Sequence, residues 1–201
     1  MASPACRQCG RCYVQEMLSG LCPLCLLSAG TKYDYTIVNV LGRSENGTIY
    51  VAEQWPTHRL VTVKVLSEAS DGEAEVERLQ RQRQALAILA HPVAAEYVDV
   101  GLTTDRRPYL IRDYLRGTPI TVYCRRYEVD RSIRQLFLAS VCDMISQSHE
   151  HGIVHGSVKP TNIFILTNDR EPTIKVVDFG LRPACPADDN FAFSCLTTAL
   201  L

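Results

Sequence analysis

The sequence predicts an α+β protein in which a sheet-rich half precedes a helix-rich half, and three observations carry that expectation. Short runs rich in Val, Ile, Thr and Tyr follow one another from Tyr35 onward, broken by Gly, Asn and Pro. Two longer stretches, 73–90 and 131–149, space their apolar residues as helices do. The order is strands, helix, strands, helix, hairpin, with no internal repeat or low-complexity segment.

Residues 1–26 hold five of the nine cysteines, and the small and polar run Ser28–Lys32 makes 27–33 read as a linker. Tyr35–Leu41, Thr48–Gln54 and Leu60–Leu66 read as successive antiparallel strands. In 73–90, Leu79, Leu86 and Leu89 fall near one face, and His91-Pro92 ends the helix. Strands are expected at Glu96–Leu102 and Pro108–Leu115. The helix over 131–149 is marked by Ile133, Leu136, Phe137, Val141, Met144 and Ile145. Ile163–Leu166 and Ile174–Val177 flank a polar turn and form the hairpin. The last residues, 183–201, show no periodicity long enough for a packed helix and stand as a tail of unknown structure.

With 201 residues, 46% of them hydrophobic and 21% charged, the chain can bury one core plus a small appendage. A net charge of -1 gives no global field for nucleic acid or an anionic membrane, so neither is expected as a partner. No apolar stretch is long enough to span a bilayer, and the first residues lack the apolar core of a secretory signal. These features place the protein in the cytoplasm.

An odd number of cysteines without a signal segment argues against a disulfide framework. Cys6-x2-Cys9 and Cys22-x2-Cys25 are two knuckles that together supply four thiolates to one tetrahedral ion. Thiolates without carboxylates favour a structural Zn2+. Cys12 leaves open which thiols bind, and iron–sulfur ligation or free thiols in a tail are the competing readings. So small a unit would need its metal to fold.

Four further motifs stand in a fixed order. They are Gly42-Arg-Ser44-Glu-Asn-Gly47-Thr-Ile49-Tyr, Val61-Thr62-Val-Lys64, His155-Gly156-Ser157-Val-Lys159-Pro-Thr-Asn162 and Asp178-Phe179-Gly180. They resemble the glycine-rich loop, the lysine strand, the catalytic loop and the D-F-G turn of protein kinases. The resemblance covers 34–182 and is strongest to bacterial serine/threonine kinases carrying a zinc ribbon ahead of the kinase domain. It implies a β-rich N-lobe over 34–116 and part of a helical C-lobe over 117–182. It also implies ATP and Mg2+ as cofactors. Lys64 would pair the α and β phosphates, Asn162 and Asp178 would hold magnesium, and Lys159 would face the transferring phosphate. Ile49, Thr62, Arg112, Asp113, Leu115 and Phe164 fall at positions surrounding the base, with Asp113–Arg116 as the hinge segment. Arg112 would need a carboxylate or water if buried.

Three positions depart from that pattern. Ser157 stands where the family has its catalytic aspartate, and an un-ionised hydroxyl cannot take the substrate proton. Gln82 stands where a glutamate pairs with the lysine, so it supplies no charge to Lys64; Glu75 and Glu77 lie more than a turn away. Ser44 replaces the middle glycine of the phosphate loop. The departures imply a pseudokinase acting through a protein partner. A weakly active kinase and a zinc-module adaptor with a vestigial kinase-like region are the alternatives. The chain ends 21 residues after Gly180 without an A-P-E motif, which reads as a truncated C-lobe.

Overall fold

A computed structural model of the chain describes residues 5–6, 25, 35–44, 46–67, 71–167, 171–181 and 184–200. The chain divides into two units, Met1–Gln80 with Tyr97–Tyr114, and Arg81–Glu96 with Leu115–Leu201.

The first unit is built on an antiparallel sheet in the order β1-β2-β3-β5-β4, comprising β1 (Tyr35–Ser44), β2 (Gly47–Gln54), β3 (Arg59–Leu66), β4 (Tyr97–Leu102) and β5 (Pro108–Asp113). Each strand matches an expected run to within a few residues. Glu96 and Tyr114–Leu115 fall outside the strands, and β1 runs on to Ser44. Alternation along the strands sorts side chains onto two faces. One face is the apolar core, with Tyr50, Ala52, Val61, Val63, Val65, Tyr109 and Ile111 buried. The opposite face carries Ile49, Thr62, Lys64 and Arg112. The register sets Ile49 across from Lys64, and Thr62 across from Arg112.

Helix α1 (Gly72–Leu89) starts at Asp71, whose carboxylate accepts the backbone N–H groups of Glu73 and Ala74 at 3.0 and 3.2 Å. Glu73 and Glu75 sit in the first turn, where the helix dipole favours anions. Leu79 and Leu86 are fully buried, as their spacing predicts.

The second unit contains a three-stranded sheet, β6 (Gly117–Pro119), β7 (Ile163–Thr167) and β8 (Pro172–Val176), with β7 in the middle. Helix α2 (Ile120–Arg126) follows β6, and α3 (Arg131–Glu150) is the long helix the sequence predicts. It buries Phe137, Leu138, Val141, Met144 and Ile145. Ile133 and Leu136, expected among its packed positions, are instead 42% and 66% exposed. Ile133 lies a turn before Phe137, and Leu136 is rotated about 100° from it around the axis.

Three elements of this unit differ from expectation. β6 and α2 are too short to leave a periodic signature; of α2 only Ile120 and Cys124 are buried. The tail expectation for 183–201 is overturned: α4 (Pro186–Leu200) is a 15-residue helix. Its start is fixed by reciprocal bonds. The N–H of Cys185 donates to the Asp188 carboxylate at 2.7 Å, and the N–H of Asp188 donates to the Cys185 carbonyl at 3.0 Å. Leu196 and Leu200, four residues apart, are buried, and Arg134 of α3 donates to the Leu200 carbonyl at 3.2 Å.

Among the described residues no helix is long and apolar enough to cross a membrane.

Candidate functional site

In the first unit the β1–β2 tip holds the glycine-rich motif. Ser44 pairs with Gly47, and the Ser44 hydroxyl donates to the Gly47 carbonyl at 3.2 Å, so the serine closes the hairpin tip on itself. Gly47 has φ 140°, and a Cβ there would lie 2.0 Å from the Val65 carbonyl oxygen. Only glycine fits. Gly42, opposite Ile49, has no atom within 4 Å of where a Cβ would sit, so the backbone there borders open space.

Lys64 and Thr62 are buried on the sheet face described above, and Arg112 on β5 is buried beside them. Arg112 does not point into solvent; its guanidinium donates to the Asp113 carbonyl at 3.3 Å. The Asp113 carboxylate pairs with Arg59. Glu75 is engaged with Arg78 at 2.6 Å, which satisfies its charge within α1.

In the second unit the loop between α3 and β7 is held from several sides. His155 is fully buried. Its Nε2–H donates to the Val177 carbonyl at 3.0 Å and its Nδ1 accepts the Ser157 N–H at 3.1 Å, which defines a neutral tautomer. Burial drives its pKa below the ordinary imidazole value, against the opposing pull of Asp189 and Asp178. The ring packs on Phe179 with centroids 4.4 Å apart, and the Gly180 N–H donates to the His155 carbonyl at 2.9 Å. The histidine therefore braces the loop against the Asp178-Phe179-Gly180 turn.

A residue that the sequence reading missed completes this bracing. Asp189, in the first turn of α4, is completely buried. One carboxylate oxygen accepts the His155 N–H at 2.7 Å and the His149 Nε2–H at 3.0 Å; the other accepts the Gly156 N–H at 2.7 Å. The available signal was Pro186 followed by two acids, a helix-start pattern. His149, at the end of α3, is part of the same clamp.

Ser157 is half-buried. The Asn162 amide nitrogen donates to its carbonyl at 2.9 Å and lies 3.4 Å from its hydroxyl. That contact commits the amide nitrogen and leaves the Asn162 side-chain oxygen as the group available to a cation. The Val177 N–H donates to the Asn162 carbonyl at 2.9 Å, which brings the neighbouring Asp178 beside Asn162. Asp178 is buried with φ 68°, an uncommon backbone for a non-glycine residue. An amide oxygen and a carboxylate suit magnesium, which prefers hard oxygen ligands.

Gln82 lies against the same turn. A Cβ on Gly180, where φ is 60°, would fall 2.5 Å from the Gln82 side-chain amide. Among the described residues the buried Gln82 Nε2 has no hydrogen-bond partner. Lys159 precedes the 3-10 turn over Pro160–Asn162, Phe164 lies on β7 opposite Lys175, and Leu115 begins the second unit after Tyr114; all three are half-buried.

Of the cysteine cluster, Cys9, Cys12 and Cys22 lie outside the described residues. Cys6 is buried and Cys25 half-buried, neither in a disulfide, and the Thr104 hydroxyl donates to the Cys25 carbonyl at 3.1 Å. Among the described residues no group of three or more His, Cys, Asp or Glu side chains is arranged to hold a metal ion.

Comparison with known proteins gives consistent findings. The protein kinase domain family matches residues 35–199. The serine/threonine-protein kinase Pkn1 of Myxococcus xanthus is 32% identical over 149 residues, which are 73% of this chain and 21% of that protein. The serine/threonine-protein kinase PknB of Mycolicibacterium smegmatis is 30% identical over 162 residues, 78% of this chain and 25% of that protein. The chain thus spans about a quarter or less of the length of these two relatives. The crystal structure of the Mycobacterium tuberculosis PknI kinase domain superposes with a TM-score of 0.69 at 24% identity, covering 87% of this chain and 77% of that one. That likeness shows the fold, a β-sheet lobe and a helical lobe.

Proposed function

Because the chain belongs to the protein kinase family, we propose that it is a pseudokinase that binds nucleotide and acts through a protein partner. One observation carries the reading: Ser157 stands where the family places its catalytic base, with its carbonyl bonded to the Asn162 amide. A serine hydroxyl is not ionised near neutral pH, and loss of a general base costs about 10²- to 10⁴-fold in rate.

The binding residues survive better than the catalytic one. When bound, magnesium ATP supplies the phosphoryl group and the negative charge that cations must offset. Lys64 would pair the α and β phosphates beneath Gly42, Ser44 and Gly47. Asn162 and Asp178 would hold magnesium, with Lys159 toward the terminal phosphate. Ile49, Thr62, Arg112, Asp113, Leu115 and Phe164 would border the base, and Gln82 would replace an acidic partner of Lys64 without its charge. The persistence of Lys64, Lys159, Asn162 and Asp178 favours a second reading, a weakly active serine/threonine kinase, since a loose transition state can proceed slowly without a base. The knuckles Cys6, Cys9, Cys22 and Cys25 fit a structural zinc module at the front of this domain.

The test is a thermal melt of the full chain with and without ATP and Mg2+. At 100-fold excess over Kd, binding adds about 2.7 kcal/mol, a rise of roughly 5–10 °C for a chain of this size. Lys64→Ala and Asp178→Asn should each abolish most of the rise. A cooperative melt indifferent to nucleotide would remove the nucleotide-binding part of the proposal.

A further inference from the structure

The second unit carries a groove of about 470 Å³ that none of the kinase-motif residues line. Its walls are Leu136 and Phe137 of α3, Pro92 and Val93 of the turn after α1, and Ile174 and Lys175 of β8. Leu136 is 66% exposed, an apolar side chain presented to the groove with little to cover it.

The β8 wall has a free backbone edge. β8 is the outer strand of its sheet. The Val176 N–H donates to the Val93 carbonyl and the Ala95 N–H donates to the Val176 carbonyl, both at 2.8 Å, on the side away from β7. The β7–β8 register is regular, so bonding direction alternates along the strand. The N–H and carbonyl of Ile174 therefore point the same way as those of Val176, into the groove. Among the described residues no backbone group pairs with them. Among the described residues Lys175 is the one charged residue lining the groove; its ammonium donates to the Ala94 carbonyl at 3.3 Å with donors to spare, and the exposed Glu96 carboxylate, outside the groove lining, is the charge acting on it.

From this juxtaposition we propose that the groove binds an extended acidic-apolar peptide segment of a partner protein. The segment adds to the free edge of β8 at Ile174, sets apolar side chains against Leu136, Phe137 and Pro92, and places a carboxylate at Lys175. The free main-chain donor and acceptor select an extended strand over a helix, because a helix satisfies its own backbone groups. The Lys175 ammonium, which only the exposed Glu96 offsets among the described residues, selects an acid over a base. This inference is independent of nucleotide binding.

The experiment is an array of fluorescein-labelled nine-residue peptides, alternately apolar, with Asp, Asn or Lys scanned through the remaining positions. Binding to the full chain is read by fluorescence anisotropy. Saturable binding that favours Asp over Lys by about tenfold is expected, as one partly buried charge pair provides. The best peptide should weaken by about tenfold when its backbone is N-methylated at alternate residues. It should weaken comparably on Leu136→Asp or Lys175→Met, two variants on a groove surface whose melting is checked alongside. No saturable binding up to about 1 mM, equal binding of Asp and Lys peptides, or indifference to Leu136→Asp would overturn the proposal. So would indifference to N-methylation with saturation by decanoate, which assigns the groove to a small amphiphile. Concentration-dependent dimerisation abolished by Leu136→Asp would assign it to a second copy and overturn it equally.

Discussion

Removing the Asp189 carboxylate should loosen the loop that carries Ser157 more than any other single change outside that loop. The carboxylate is fully buried and accepts three hydrogen bonds, two from backbone N–H groups at 2.7 Å and one from His149 at 3.0 Å. Hydrogen bonds to a charged acceptor contribute about 1.5–3 kcal/mol each, and a buried donor left unpaired costs about 1–3 kcal/mol. Asp189→Ala strands the donors of His155, Gly156 and His149 together, so a loss of about 3–6 kcal/mol follows. At about 2–4 °C per kcal/mol for a chain of this size, that lowers Tm by roughly 6–24 °C. Asp189→Asn keeps one acceptor oxygen but turns an NH2 toward a donor, so it should recover no more than about half the loss. Urea unfolding followed by circular dichroism measures the magnitude, and hydrogen exchange at the His155 and Gly156 amides locates it. Both variants unfolding within about 0.5 kcal/mol of wild type, with those amides still protected, would refute the clamp.

The D-F-G turn and the buried histidine give two further expectations. Gly180→Ala drives a methyl into the Gln82 amide at a positive-φ position and should cost about 2–4 kcal/mol by chemical denaturation. Gln82→Ala in the same chain should return part of that loss, since it clears the clash. His155 has a lowered pKa in the folded state, so the unfolded chain binds its proton more readily. Its contribution is fully present above the unfolded value near 6.5 and is lost as pH falls from there toward the folded value, by at most about 1.4 kcal/mol per pH unit. Urea midpoints from pH 8 to 5 should fall more steeply for wild type than for His155→Gln.

The strands and the long helices were legible because alternation and helical spacing act over several residues at once. Val61, Val63 and Val65 announce a core-facing strand edge by themselves, and Leu79 with Leu86 announce a helix face. α4 was not legible for a physical reason. Leu196 and Leu200 are its buried apolar residues, Phe191 is 74% exposed and breaks the period, and its first turn is fixed by Cys185, Asp188 and Asp189. Capping and a buried carboxylate specify that helix, and neither produces an apolar period. The same gap hid Asp189 from the site, because its role depends on a contact with residues 33 and 34 positions away. The motif residues were legible because each lies within a short signature. That Gln82 packs against Gly180 was not legible, because nothing in either residue's own neighbourhood records the contact.

The central claim is that Ser157 leaves this kinase-like domain without a working base. Its most direct test is phosphoryl transfer from ATP to a serine/threonine peptide pool by wild type, Ser157→Asp and the magnesium-site blank Asp178→Asn. The account predicts wild type at the level of the Asp178→Asn blank and Ser157→Asp above it, by up to the roughly 10²- to 10⁴-fold that a general base contributes. Wild-type transfer well above the blank and unchanged by Ser157→Asp would contradict it.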